Sequence, residues 1–91
     1  MVETLTLPPR LDASTVNGLS REITSRLDTG KLRFDGSGVT HMGALGVQLI
    51  MSAARSVRAN GGQIEFTDLS DRAERQLSYM GITPENLVEG A

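Results

Sequence analysis

Residues Thr4 to Leu7 alternate, with Leu5 and Leu7 on one side and Thr4 and Thr6 on the other, the period-two signature of a half-buried strand. Val2 falls outside that phase. Pro8 and Pro9 end the run, and because proline has no N–H to give a ladder, the Arg10-Leu11 pair behind them is expected to be a bend or an edge segment. Asp12 then stands as a helix N-cap. From Ala13 to Leu27 the period changes. Val16, Leu19, Ile23 and Leu27 follow one another at spacings of three, four and four, which places them on one face of a helix, and Gly30 supplies its stop.

Lys31 to Asp35 returns to period two through Leu32 and Phe34, and Gly36-Ser37-Gly38 turns the chain off the sheet, with Val39 and Met42 pointing back inward. The longest helical pattern runs from Ala44 to Ala59. Its expected buried stripe is Leu45, Leu49, Ala53 and Val57, widened by Ile50 and Ala54, and Asn60-Gly61-Gly62 ends it. Gln63 to Asp68 reads as a strand through Ile64 and Phe66. Asp71 and Glu74 have the spacing of a capping box and open a helix with Ala73, Leu77 and Met80 inside, closed by Gly81. Thr83-Pro84 starts a last short turn over Pro84 to Val88.

No repeat or low-complexity segment interrupts this order. It predicts a single α/β domain over residues 1–91, with a small sheet of about three to five strands, largely parallel and joined by right-handed crossovers, and helices mainly on one face. Composition sharpens the picture. Apolar residues make up 38% of the chain and aromatic ones only 3%, so the core must be aliphatic. Nine basic against eleven acidic residues give a net charge of −2, which provides no field for holding nucleic acid or an anionic membrane. There is no cysteine, which excludes disulfides and thiolate metal sites. No run approaches the ~18 apolar residues of a membrane span and no secretory pattern opens the chain, so a soluble, cytoplasmic protein is expected.

Candidate chemistry is sparse. His41, the only histidine, lies on the turn feeding the long helix, where a general base could reach a substrate, but a hydrogen-bonded turn histidine is the simpler reading. Without a second histidine or a cysteine no nucleophile–base pair or metal cluster can be assembled, so no catalytic residue, metal or cofactor is expected. Gly36-Ser37-Gly38 could cradle a phosphate through backbone N–H groups, yet it lacks the Lys-Ser/Thr ending of a P-loop and reads more simply as a tight turn. A nucleotide-binding or small hydrolytic enzyme is therefore the weakest alternative. Ser14, Thr15 and Thr40 read as cap or turn residues rather than sites of modification. Along the long helix, Val47, Met51 and Arg55 recur one turn apart beside the buried stripe. Either the helix sinks deep into the core or this face meets another protein, since Met and Arg are both frequent at interfaces.

The segment Leu32 to Gly46, LRFDGSGVTHMGALG, resembles the central signature of STAS domains, the family of bacterial anti-sigma-factor antagonists and of cytoplasmic domains of sulfate transporters. Gly38-Val39 match the step that ends a strand, Met42 the apolar residue before the turn, and Gly46-Val47 the start of the long helix. Arg10-Leu11-Asp12, Ala59-Asn60-Gly61-Gly62 and the Leu77-x-x-Met80-Gly81-Ile82 helix end agree with the same family, so the resemblance covers most of the chain. The first strand looks short, and the usual final strand and helix look reduced to Thr83–Ala91.

The departure lies at the turn itself. Gly43 stands where the family carries an acidic residue, Ala44 at the phospho-acceptor and Leu45 at the second hydroxyl position, and none of them can accept phosphate. In switchable relatives a phosphate here adds about −1.5 to −2 charge beside the partner and breaks the complex. The resemblance implies a non-catalytic regulatory module that binds an anti-sigma-factor or histidine-kinase-type ATPase protein through Met42, Gly43, Ala44, Leu45, Val47, Gln48, Met51 and Arg55, in sigma-factor control or a chemotaxis pathway. Its alternative is a STAS subunit of an ABC-type phospholipid-transport assembly.

Overall fold

The computed structural model describes residues 2–26 and 30–90. The chain order is β1 (Val2–Thr6), β2 (Arg10–Leu11), α1 (Val16–Thr24), β3 (Lys31–Gly36), β4 (His41–Met42), α2 (Ala44–Ala59), β5 (Gln63–Leu69), α3 (Asp71–Tyr79) and α4 (Pro84–Glu89). β1, β3 and β5 form a parallel sheet with β3 in the middle, and β2 and β4 form a second parallel ladder of two residues each. Arg10-Leu11 is thus the edge segment that Pro8 and Pro9 impose. The five strands, all parallel, and the helices between them give the expected α/β architecture.

Alternation along β3 shows which face of the sheet holds the core. Leu32, Phe34 and Gly36 are buried, while Lys31, Arg33 and Asp35 remain half-exposed. Registry aligns Leu5 with Phe34 and Phe34 with Phe66 on the inner face, where the two rings stand 5.8 Å apart and tilted by 54°. The outer face is polar: Glu65 pairs there with Arg33 and, at 3.7 Å, with Lys31. These pairs hold the Glu65 carboxyl below its ordinary range, the hydrogen bond from Arg33 contributing most.

The helices depart from their expected bounds for local reasons. α1 spans Val16–Thr24 rather than Ala13–Leu27, with Leu19 and Ile23 buried; Leu27 lies outside the described residues. Asp12 does not cap it. The Asp12 carboxylate is taken by Ser14, whose N–H and Oγ both donate to Oδ1 (3.0 and 2.6 Å), closing an Asx turn one step before the helix. Those bonds, with a contact from Arg10, lower the Asp12 pKa to about 2.

In α3 the cap is Ser70, whose Oγ accepts from the Ala73 N–H, and Asp71 and Glu74 sit in the first turn, where their charge suits the helix dipole. Ala73 and Leu77 are buried as expected, but Met80 is exposed. Gly81, at φ 72°, turns the chain so that the Ile82 N–H returns to the Leu77 carbonyl, and Ile82 takes the inward place. α4 starts at Pro84 as expected and has a complete capping box, with Thr83 as the cap and Asn86 as the reciprocal partner; the box expected of Asp71 and Glu74 stands here instead.

Candidate protein-docking site

The turn from β4 into α2 is gripped from two sides. On one side, the Thr40 and His41 N–H groups donate to the Pro9 carbonyl (2.7 and 3.1 Å), and the Gly43 N–H to the Leu11 carbonyl (3.3 Å). On the other, the Gln76 carboxamide of α3 acts as a strand edge: its Oε1 accepts from the Met42 N–H and its Nε2 donates to the Thr40 carbonyl. Ser70 continues this clamp by donating its Oγ to the Val39 carbonyl. Neither Gln76 nor Ser70 stands out in the sequence. The only signal is a polar residue beside Leu77 on the inner face of a helix.

Gly46 sets the phase of α2. A Cβ at this position would lie 2.6 Å from the Leu11 Cβ and 3.1 Å from its carbonyl oxygen, so the helix meets β2 where only hydrogen fits. With Gly46 fixed inward, the buried face becomes Gly46, Val47, Ile50, Ala53, Ala54 and Val57. Ile50, Ala53, Ala54 and Val57 are buried as expected, and Gly46 and Val47 take the places expected of Leu45 and Leu49. Leu45 turns outward, 52% exposed, and Leu49 is only half-buried.

The same rotation sorts the eight residues proposed for partner contact. Met42 and Val47, 1% and 4% exposed, belong to the core and have no surface to offer. Met51 is half-buried against the core, and Arg55, though exposed, donates from Nη1 to the Gly90 carbonyl at 2.7 Å, holding the end of α4. Ala44, Leu45 and Gln48 remain outside, with Gly43 half-buried beside them. These four share the first turns of α2.

Gly43 is the N-cap of α2, in extended conformation (φ −87°, ψ 175°), and the helix has neither a side-chain cap bond nor an acidic residue in its first turn. The imidazole of His41 lies over it: a Cβ on Gly43 would stand 3.1 Å from His41 Nε2. The exposed tip is therefore a short apolar step, Ala44-Leu45, with a flexible amide beside it at Gln48. It carries no hydroxyl, carboxylate or thiol, so it can present shape and apolar area but no bond-making group. Among the described residues, no group of three or more His, Asp or Glu side chains could hold a metal. The Gly36-Ser37-Gly38 turn is tied down by its own neighbour, the Ser37 N–H and Oγ donating to Asp35 Oδ1. No described helix is long and apolar enough to cross a membrane.

Comparison with known proteins bears on this geometry. No curated protein sequence matches the chain significantly. Among solved structures, the anti-sigma factor antagonist SpoIIAA in its unphosphorylated form superposes with a TM-score of 0.74 at 17% identity, covering 91% of this chain and 75% of that one, and so shares the fold. The family model described as "Mlab, STAS domain" matches residues 2–89, nearly the whole chain, and with it the protein belongs to the STAS domain family.

Proposed function

We infer that this STAS domain is a non-catalytic regulatory module that docks a cytosolic partner protein on the first turns of α2, through Ala44, Leu45 and Gln48. One observation carries the reading. The tip is exposed and apolar, while Pro9, Leu11, Gln76 and Gly46 hold the backbone beneath it in one conformation. A preorganised apolar step loses little freedom on binding, which is how a small surface gains affinity. With Ala44 at the family's phospho-acceptor position, docking is constitutive or is controlled on the partner. An anti-sigma-factor or other histidine-kinase-type ATPase protein is the partner class that fits this family.

Co-purification from the native cell, followed by mass spectrometry, tests the reading. A partner that is retained by the wild-type chain and lost by the Ala44→Glu chain supports it. Equal retention of every associated protein by the two chains contradicts it.

The lack of a hydroxyl also favours a second reading, a structural subunit of an ABC-type phospholipid-transport assembly, for which no switch is needed. Co-elution with a transport ATPase rather than a signalling ATPase distinguishes the two.

A further inference from the structure

Asparagine is a thermolabile residue, and most so before glycine, which puts no side chain beside the backbone nitrogen that attacks the carboxamide. The chain has two such pairs, Asn17-Gly18 and Asn60-Gly61, and both are exposed. Their backbones differ. Asn17 is the second residue of α1, so its carbonyl belongs to the helix ladder and accepts from the N–H four residues on, that of Arg21. Leu19, the residue after Gly18, is buried. Asn60 instead ends α2, at φ −94° and ψ 14°, and Gly61 stands at φ 83°.

The fold anchors the chain on both sides of the Asn60–Gly61 peptide but barely holds the peptide itself. Before it, the Asn60 N–H donates to the Ser56 and Val57 carbonyls (3.2 and 3.1 Å). After it, the Gly62 N–H reaches the Val57 carbonyl (2.9 Å) and the Gln63 N–H the Gly30 carbonyl (2.8 Å). Among the described residues nothing donates to the Asn60 carbonyl, and a Cβ on Gly61 would meet nothing within 4 Å. The peptide plane can therefore turn over by opposite rotations about the Asn60 ψ and the Gly61 φ while its neighbours stay in place. Two exposed bonds oppose that turn, from the Gly61 N–H to the Arg58 carbonyl (3.0 Å) and from Asn60 Nδ2 to the Ser56 carbonyl (2.9 Å). At Asn17 the same turn would take the carbonyl away from Arg21 and unwind the helix that seats Leu19.

We propose that Asn60 is a site of spontaneous covalent modification in the folded protein, while α1 protects Asn17. With the plane turned, the Gly61 nitrogen faces the carboxamide, gives up its proton and attacks Asn60 Cγ. The new N–Cγ bond closes a succinimide ring, and the side-chain nitrogen takes up a proton and leaves as ammonia. Water then opens the ring. Cleavage at Cγ gives aspartate, cleavage at the backbone carbonyl gives isoaspartate, and neither route needs an oxidant or a reductant. Both products lose the donor to Ser56 and place a carboxylate at the C-terminal end of α2, where the helix dipole opposes it. Arg58, which holds the Glu89 carbonyl at 3.2 Å, stands on this last turn, so modification also loosens the seat of α4.

Peptide mapping by mass spectrometry tests the assignment, with folded chain and urea-unfolded chain incubated side by side at physiological temperature and mildly alkaline pH. Trypsin separates the two sites, Asn17 in the fragment Leu11–Arg21 and Asn60 in Ala59–Arg72. In urea, where only the dipeptide matters, both should convert at comparable rates. In the folded chain Asn60 should convert at least ~10-fold faster than Asn17, because its reactive conformation needs only a local opening. Equal rates in the folded chain, or faster conversion at Asn17, overturn the proposal. So does the absence of conversion at Asn60 over a time in which the urea sample reacts completely. The Asn60→Asp chain should unfold at a lower urea concentration than wild type, and an unchanged midpoint overturns the loosening of α2 and α4.

Discussion

Helix α2 is finished in opposite ways at its two ends. At the C-terminal end, the Asn60 side chain donates back to the Ser56 carbonyl, the Gly62 N–H reaches the Val57 carbonyl, and Arg55 and Arg58 reach across to the carbonyls of Gly90 and Glu89. Every one of these contacts is local or intramolecular, and together they fasten α4 to the body of the domain. The N-terminal end has no side-chain cap and no ion pair, and shows an exposed leucine. Yet the backbone leading into it is held by bonds to Pro9, Leu11 and Gln76. One end spends its side chains on the fold; the other fixes its backbone and leaves its side chains to solvent. Such a combination suits a surface kept for another protein.

The contrast is broken most severely at Gly46. Gly46→Val drives a branched side chain into Leu11 and should cost about 3 kcal/mol in urea denaturation, loosening the tip as well as the fold. A loss below about 1 kcal/mol would mean that the close approach to β2 does not set the helix phase. Gly90→Ala acts on the other end. With φ at 77° and a Cβ 2.7 Å from the Arg55 Cγ, it should cost about 1–2 kcal/mol by unseating α4, and Arg55→Ala should cost about 1 kcal/mol by the same measurement.

On a His41→Ala background, which clears the ring that would stand 3.1 Å from a new Cβ, Gly43→Asp supplies the missing cap and should raise stability by about 0.5 kcal/mol in the same denaturation series. Acid gives the smallest and most diffuse effect. Asp12, Asp35 and Glu65 all have lowered pKa values, Asp12 about 2, through bonds from Ser14, Ser37 and Arg33 respectively. Groups whose folded pKa is depressed contribute stability above their unfolded values of 3.8 to 4.5 and lose it as the pH falls toward 2. Melting temperatures should therefore fall progressively between pH 4.5 and 2, and Asp12→Asn should flatten the lower part of that decline.

Most of the fold is legible in the sequence because it rests on short-range signals. Alternation at Leu32 and Phe34, the glycines after Ala59, and Thr83-Pro84 each specify an element through its own residues. What is not legible depends on tertiary approach. Periodicity allows Leu45 or Gly46 to lead the buried face of α2 and favours the leucine as the more hydrophobic. The position is decided instead by the absence of room beside Leu11, which a glycine satisfies and a leucine cannot. For the same reason Val47 and Met42 fall into the core, and Arg55 is engaged by Gly90 at the end of α4, a residue 35 positions away in sequence. The turn Gly43-Ala44-Leu45 is visible from sequence as a place without hydroxyls. Its rigidity is not, since Gln76 and Ser70 supply it from a distant helix.

The central claim, that an apolar and permanently unphosphorylated α2 tip docks a protein, is tested most directly by titrating the protein that co-purifies with the wild-type chain against purified wild-type and Ala44→Glu chains of matched melting temperature. A negative charge at an apolar docking step should raise the Kd at least ~10-fold by calorimetry, a loss of about 1.4 kcal/mol. Equal Kd values for the two chains would place the docking surface elsewhere on the molecule and contradict the account.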